Sequence, residues 1–414
     1  GYVTGSDTLY PNVKHLQAGE FVQVNWLEGV IQLRLGRYYR FLHVEPKKYD
    51  EDHLKNQLDN ATRNSMLRLI EYADGRQIAV PLSGGYDSRL IAAMLKNLGY
   101  DNVLCFTYGV PGNKEAEYSR QVAKALNFKW VFVEYSADLW RKEWSTPEAR
   151  AYRQMAANHV SLPHVQDWLA IKQLIANGTL HSNAVIAPGH SGDFVAGSHI
   201  PSFAFSEKKH SEDVLLKTLI DDHLSNAPLE MMDVARNELL KNRLKDRIGI
   251  AFDGAGYELA NLYEMWDWQE RQAKYIVNSV RVYDQFELNW WLPQWDLEFV
   301  RFWAHVPLVL RKQRAWFKEW ISEKYAREIR GIPDANKLNS ASDTPLVRRV
   351  LFKVVAVMPR RLLEVLKKAR RKRVYKNHFL AFEGLIDVES FPEYIKKGYN
   401  IIGMYCDSYI RGKW

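Results

Sequence analysis

The residues best suited to chemistry form one short run, Ser83-Gly84-Gly85-Tyr86-Asp87-Ser88, directly after the apolar stretch Val80-Pro81-Leu82. Two consecutive glycines let backbone N–H groups approach an anion closely, and the hydroxyls of Ser83 and Ser88 can donate to the same oxygens. A helix starting here would add the attraction of its positive end for a phosphate. Asp87 would repel that phosphate unless a divalent cation lay between them, which implies Mg2+. The run is neither a Walker sequence nor the Gly-x-Gly-x-x-Gly of dinucleotide-binding folds. The structural alternative is a glycine-rich turn capped by Asp87 or Ser88.

The elements around this run are legible from periodicity. Residues 1–42 read as short β segments, with a hairpin at Glu28-Gly29 between Phe21–Leu27 and Val30–Leu35. Leu54, Leu58, Ala61, Met66, Leu69 and Ile70 predict an amphipathic helix from Glu51 to about Asp74-Gly75. Strands are expected at Gln77–Leu82, Val103–Tyr108 and Trp130–Glu134, separated by helices from about Ser88 to Leu98 and from Glu115 to Leu126. This alternation predicts an α/β fold, a parallel sheet flanked by helices. Beyond Leu139 the pattern is mostly helical, with a strand and loop at Ala184–Gly197.

Ser83-Gly84-Gly85-Tyr86-Asp87-Ser88 resembles the pyrophosphate loop of ATP pyrophosphatases of the asparagine synthetase type. Phe106 to Gly112, with Glu115, Glu117 and Ala123, is similar to that family's second strand and following helix. Pro188-Gly189-His190-Ser191-Gly192-Asp193 resembles its second phosphate loop, written G-E-G-S-D-E-x-F-G-G. Leu292-Pro293-Gln294-Trp295-Asp296 resembles its P-F-L-D stretch, and Lys318 follows Asp296 by 22 residues, where the family keeps a lysine facing the reaction intermediate. The resemblance implies a fold of the adenine nucleotide alpha-hydrolase, or PP-loop, type. It implies ATP bound by Leu82, Ser83, Gly84, Gly85, Asp87, Ser88, Tyr108 and Gly189, with Leu82 and Tyr108 against the adenosine. Asp87 and Asp193 would hold Mg2+, and Lys318, His190 and Asp193 would be catalytic. Residues 51–335 are expected to form the synthetase domain. Residues 1–50, with Thr8-Leu9-Tyr10, Leu16 to Glu20 and Arg37-Tyr38-Tyr39, resemble the closing hairpins of the family's glutaminase domain. That domain uses an N-terminal cysteine. This chain begins with Gly1 and has no cysteine before Cys105, so either it lacks most of a glutaminase half or its ammonia comes from elsewhere.

Two departures bear on the substrate. His190 stands where the family has a glutamate that takes a proton from ammonia. An imidazole, with an ordinary pKa of about 6.5, can serve as that base, as a substrate contact, or as a residue holding the loop. Trp291, in a run with Trp290 and Trp295, replaces an arginine, so a clamp for the carboxylate of free aspartate is missing. Arg271 and Lys274 can line the phosphate side or pair with acids on an exposed helix. Histidine and tryptophans at these places resemble the family members of surface-polysaccharide assembly. The expected acceptor is therefore a carboxylate, a uronic acid that is nucleotide- or lipid-linked, amidated with ammonia or with glutamine through a glutaminase domain or subunit. The alternatives are an intramolecular amide-forming synthetase of the β-lactam synthetase or lasso-cyclase type, and a non-catalytic ATP-binding scaffold.

Composition bounds the rest. At 47% hydrophobic and 13% aromatic, the 414 residues are too apolar for a disordered chain. Two distant cysteines exclude a disulfide scaffold or zinc ribbon. No apolar run approaches the roughly 18–20 residues of a membrane span, and no leader precedes Gly1, so a cytoplasmic protein is expected. The net charge of +8 is local, because Pro345–Lys376 holds twelve basic residues against Glu364 alone. With Val350, Val354, Leu362 and Leu366 interleaved, that run predicts an amphipathic basic helix in a C-terminal extension, 336–414. It is suited to peripheral contact with the inner face of a membrane, to an acidic partner or to plain solvation, and nothing in it favours nucleic acid.

Overall fold

The computed structural model describes residues 1–206, 208–226, 234–249, 252, 254–324, 369, 372–373, 375–387 and 389–412. Its centre is a five-stranded, wholly parallel sheet in the order β5-β4-β3-β6-β7. The strands are β3 (Ile78–Pro81), β4 (Val103–Gly109), β5 (Lys129–Glu134), β6 (Val185–Ile186) and β7 (Asn289–Trp290); β1 (Glu20–Leu27) and β2 (Val30–Arg37) form a separate antiparallel hairpin. Helices α1 (Glu51–Ala73), α2 (Tyr86–Asn97), α3 (Lys114–Ala125), α4 (Ala137–Trp144), α5 (Pro147–Ala157), α6 (Trp168–Ala176) and α7 (Gly192–Val195) intervene. The expected α/β architecture is present, and the boundaries of α1 and β3–β5 fall within two residues of those read from periodicity.

Continuous apolar strands signal burial on both faces, and β3 and β4 show it residue by residue. Ile78, Val80, Val103 and Cys105 enter a core with α1, α2, α3 and the helix Ala315–Lys324. Ala79, Leu104 and Phe106 point the other way, into a core with α4–α6 and residues 375–405. Helix α1 starts where the Asp50 carboxylate accepts the His53 N–H at 2.8 Å, and stops at Asp74, whose φ of 47° turns the chain left-handed. Strand β7 was not expected; Asn289 and Trp290 pair with Val185 and Ile186 to extend the sheet.

From β3 the chain winds outward through β4 and β5, then returns to lay β6 on the other side of β3. The order reverses between β3 and β6, and the loops leaving their carboxyl ends face one crevice. In open α/β sheets that crevice is where ligands bind. The helix Gly256–Asp267 runs on as a π-helix, Trp268–Ile276. It turns Glu264, Asp267, Glu270 and Lys274 inward, all buried. The β1–β2 hairpin pairs in the expected register, Leu27 opposite Val30, and stands off the body: Trp26 and Leu33 are each 69% exposed. The basic run Pro345–Lys376 lies almost wholly outside the described residues.

Candidate functional site

The two loops meet at the crevice. After β3, the Leu82 N–H donates to the Phe106 carbonyl at 2.8 Å and its own carbonyl accepts the Thr107 hydroxyl at 2.5 Å. The side chain, 1% exposed, is what Leu82 has left to offer. The Ser88 hydroxyl accepts the Ser83 N–H and lies 3.0 Å from the Ser83 hydroxyl, which accepts the Gly85 N–H at 3.1 Å. The turn is thus preformed. Gly85 is the N-cap of α2 and no side chain caps that end. The second loop presses against the first: a Cβ on Gly189 would sit 2.6 Å from the Ser88 nitrogen, and one on Gly192 would sit 2.7 Å from Asp87 Oδ1. Only glycine permits this approach.

Around the loops the charges are ordered. Arg314 pairs with Asp87 Oδ1, and Gln294 Nε2 donates to the Asp87 carbonyl at 3.1 Å. Burial raises the Asp87 carboxyl; Arg314 pulls it down, Asp193 pushes it up, and it ends above its ordinary value. Burial also opposes ionisation of Asp193, but His199, Arg314 and Arg271 together hold it well below the usual carboxylate range. His199 Nε2 lies 3.2 Å from Asp193 Oδ2 and Nδ1 lies 2.5 Å from Asp267 Oδ2. Against its own burial, these carboxylates raise the imidazole to about 9. Arg271 stands 3.3 Å from both ring nitrogens. Lys318, half-buried in the helix Ala315–Lys324, acts electrostatically on Asp87. Four cationic groups therefore face Asp87 and Asp193, a surplus suited to a polyphosphate.

The donor set fits Mg2+ in the manner of nucleotide sites. Among the described residues no group of three or more His, Cys, Asp or Glu could hold a metal, and a nucleotide-borne Mg2+ asks for one or two carboxylates besides phosphate oxygens. Asp193, which disfavours the charge of Asp87, and Asp87 itself would supply them.

His190 departs from the basicity read from sequence. Burial pushes it down to about 4, with Asp167 opposing. Ser279 donates to the Ile276 carbonyl at 2.6 Å, so at 3.1 Å it accepts from His190 Nδ1–H. The neutral ring then carries its lone pair on Nε2. Behind it lies Asp167, buried, accepting the Tyr108 hydroxyl at 2.5 Å and the Tyr283 hydroxyl at 2.6 Å. Burial opposes its ionisation, yet His164, His190 and Tyr108 bring Asp167 down to about 2. Tyr108 thus reaches the crevice wall with its hydroxyl committed to Asp167.

Other sequence expectations are relocated. Lys274 does not line the phosphate side; buried, it pairs with Glu270 at 2.6 Å and donates to the Val3 and Gly5 carbonyls, fastening the N-terminal strand segment. Asp296 caps the helix Leu297–Trp303 and grips Arg68 of α1 at 2.6 and 2.7 Å. The indoles do not share one platform: Trp291 leans on Tyr72, Trp290 donates to Asp284, and Trp295 packs on Phe194. The sequence reading missed Arg314, His199 and Asp267. The basic run Arg311-Lys312-Gln313-Arg314, just before Lys318, was the available signal for the first.

The centre of the fold is thus a parallel α/β sheet with two glycine loops meeting at its switch point. The chain belongs to the asparagine synthase family, whose model matches residues 57–335. A probable glutamine-hydrolysing asparagine synthetase of Acanthamoeba polyphaga mimivirus is 29% identical over 156 residues, 35% of this chain and 26% of that protein. An argininosuccinate synthase of Psychrobacter cryohalolentis is 24% identical over 189 residues, 46% of this chain and 43% of that one. The chain thus spans less than half the length of these curated relatives. An ammonia-dependent NAD synthetase from Campylobacter jejuni aligns over 47% of this chain and 98% of its own, at 17% identity and a TM-score of 0.26. An NMN synthetase from Francisella tularensis aligns over 58% and 94%, at 15% identity and a TM-score of 0.23. No helix among the described residues is long and apolar enough to cross a membrane.

Proposed function

We propose that the protein is an ATP-dependent carbon–nitrogen ligase that amidates a carboxylate through an acyl-adenylate. The observation that carries this is the close meeting of the Ser83–Ser88 turn with Gly189 and Gly192, ringed by Asp87, Asp193, Arg314 and Lys318. The carboxylate oxygen attacks the α-phosphorus of ATP and the bond to pyrophosphate breaks. The open N-terminus of α2 and the Ser83 and Ser88 hydroxyls hold the leaving group, and Arg314 and Lys318 balance its charge. Bound Mg2+ would neutralise phosphate charge between Asp87 and Asp193.

Ammonia, supplied directly or from glutamine, then attacks the acyl carbon, and AMP leaves. His190 presents an Nε2 lone pair and no positive charge, so it can orient an N–H of the nucleophile. As the C–N bond forms the nitrogen becomes cationic and acidic enough to give its proton to this weak base. The acceptor we favour is a uronic acid. Support comes from Trp291, which fills with an apolar contact to Tyr72 the place of an arginine clamp. The +11 charge of Pro345–Lys376 supports work beside an anionic membrane face, on a lipid- or nucleotide-linked sugar.

Pyrophosphate release, measured with uronic acids, nucleotide-linked uronic acids and aspartate in the presence of ammonium or glutamine, tests this reading. Release with a uronic acid, lost in Asp87→Asn, is expected. Release with aspartate alone would refute the sugar acceptor, and release with none but a β-amino acid or peptide carboxylate would point to the intramolecular synthetases.

A further inference from the structure

A cavity of about 290 Å3 lies between residues 162–166 and residues 378–405, and its lining residue His164 stands near His190. Its floor is tied to the sheet. The Phe379 carbonyl accepts the Val110 N–H at 2.7 Å, and it occupies the place where a Cβ on Gly109, at φ 136°, would lie 2.6 Å away. The turn 378–382 is thereby laid across the carboxyl end of β4, next to Tyr108. Trp140 Nε1 donates to the Leu380 carbonyl at 2.8 Å, and the His378 ring stacks on Phe382 with centroids 4.6 Å apart. His164 forms the shared wall: it lines the cavity, its Nε2 is 3.7 Å from Asp167, and its ring centroid is 6.3 Å from that of His190.

The chemistry of the lining is selective. Among the described residues no Asp, Glu, Lys or Arg borders the cavity. Its polar groups are the side-chain donors and acceptors of His164, Gln166, Tyr275, His378 and Tyr405, set among aromatic faces. An amino-acid acceptor would need an anion for its ammonium, and no carboxylate of the described residues borders the cavity. Aromatic faces with several hydrogen-bonding side chains match a polyhydroxylated ring, and the volume lies at the small end of ligand pockets.

Building on the proposed amidation, we infer that this cavity is a saccharide subsite: it holds an uncharged pyranose ring joined to the uronic acid whose carboxylate faces Ser83–Ser88 and His190. His164, Gln166, Tyr275 and His378 are its specificity-determining residues, and the acceptor is accordingly a glycosidically linked uronic acid rather than a free one.

The test uses the full chain and two readouts. Pyrophosphate release is compared for glucuronic acid and for a disaccharide bearing glucuronic acid on a neutral hexose. The disaccharide is expected to show a KM about tenfold lower, and in Gln166→Ala and His378→Ala the ratio of the two KM values should collapse toward one. Equal KM values in the wild type, or a ratio that survives both substitutions, would overturn the subsite. Separately, calorimetric titration with methyl glucoside, methyl galactoside and methyl N-acetylglucosaminide, without ATP, reads the cavity alone. Binding that is lost in Gln166→Ala supports it; binding by none of the three glycosides overturns it. If neither acid releases pyrophosphate while a glycoside binds, the amidation reading fails and the saccharide site stands.

Discussion

The imidazole of His199 gives a prediction that can be worked from distances. It stands 2.5 Å from Asp267, which is fully buried, and 3.2 Å from Asp193, and these carboxylates raise it from 6.5 to about 9. A histidine raised on folding stabilises the native state fully below its unfolded value, and that stability disappears as pH climbs through the folded one. The window therefore runs from about pH 6.5 to about pH 9. At about 1.4 kcal/mol per pH unit the contribution is about 3 kcal/mol. The perturbation is His199→Gln, which keeps a donor but carries no charge. Urea denaturation in EDTA at about pH 6 and about pH 9.5 supplies the free energies, and groups common to both proteins cancel in the difference. The wild type should exceed the variant by about 3 kcal/mol more at the lower pH. A difference constant to within about 1 kcal/mol would show that the ring is neutral in the fold and that Asp193 is ionised for some other reason.

Two further expectations concern the frame of the site. Glu264→Ala leaves Arg311 buried without its partner, both side chains now being fully buried and joined at 2.5 and 2.7 Å. Chemical denaturation should show a loss of about 3–5 kcal/mol, and a loss under about 1 kcal/mol would mean the pair is solvated. Gly189→Ala drives a methyl to within 2.6 Å of the Ser88 nitrogen, so the loops must part. ATP affinity by calorimetry should fall about tenfold or more, and unchanged affinity would place the nucleotide elsewhere.

The sequence disclosed the local layer of this protein well. Periodicity located α1 and the three strands of the first half because each has one strong rhythm and clear punctuation, such as Asp50 and Asp74 around α1. It missed β7, since two residues inside an aromatic run show no alternation and pair only because β6 lies alongside. The Ser83 turn and the Gly189 loop could be read because their chemistry is local, held in adjacent residues. Arg314, His199 and Asp267 could not, since their meaning comes from the fold bringing positions 87, 193, 199, 267 and 314 to one crevice. The same reason misplaced Lys274: a lysine three residues from Arg271 suggested a phosphate wall, whereas the π-helical turn sends it to Glu270 and the chain's first residues. Of the three readings open for His190, that of a base relied on the basicity of a solvated imidazole, which burial lowers.

The most direct measurement is the nucleotide product formed in one turnover. With Mg2+, ATP, ammonium and a carboxylate acceptor that supports reaction, chromatography should find AMP and pyrophosphate in equal amounts, and Asp87→Asn should form neither. ADP and orthophosphate from the wild type would contradict a turn that holds departing pyrophosphate, and with it the account of the site.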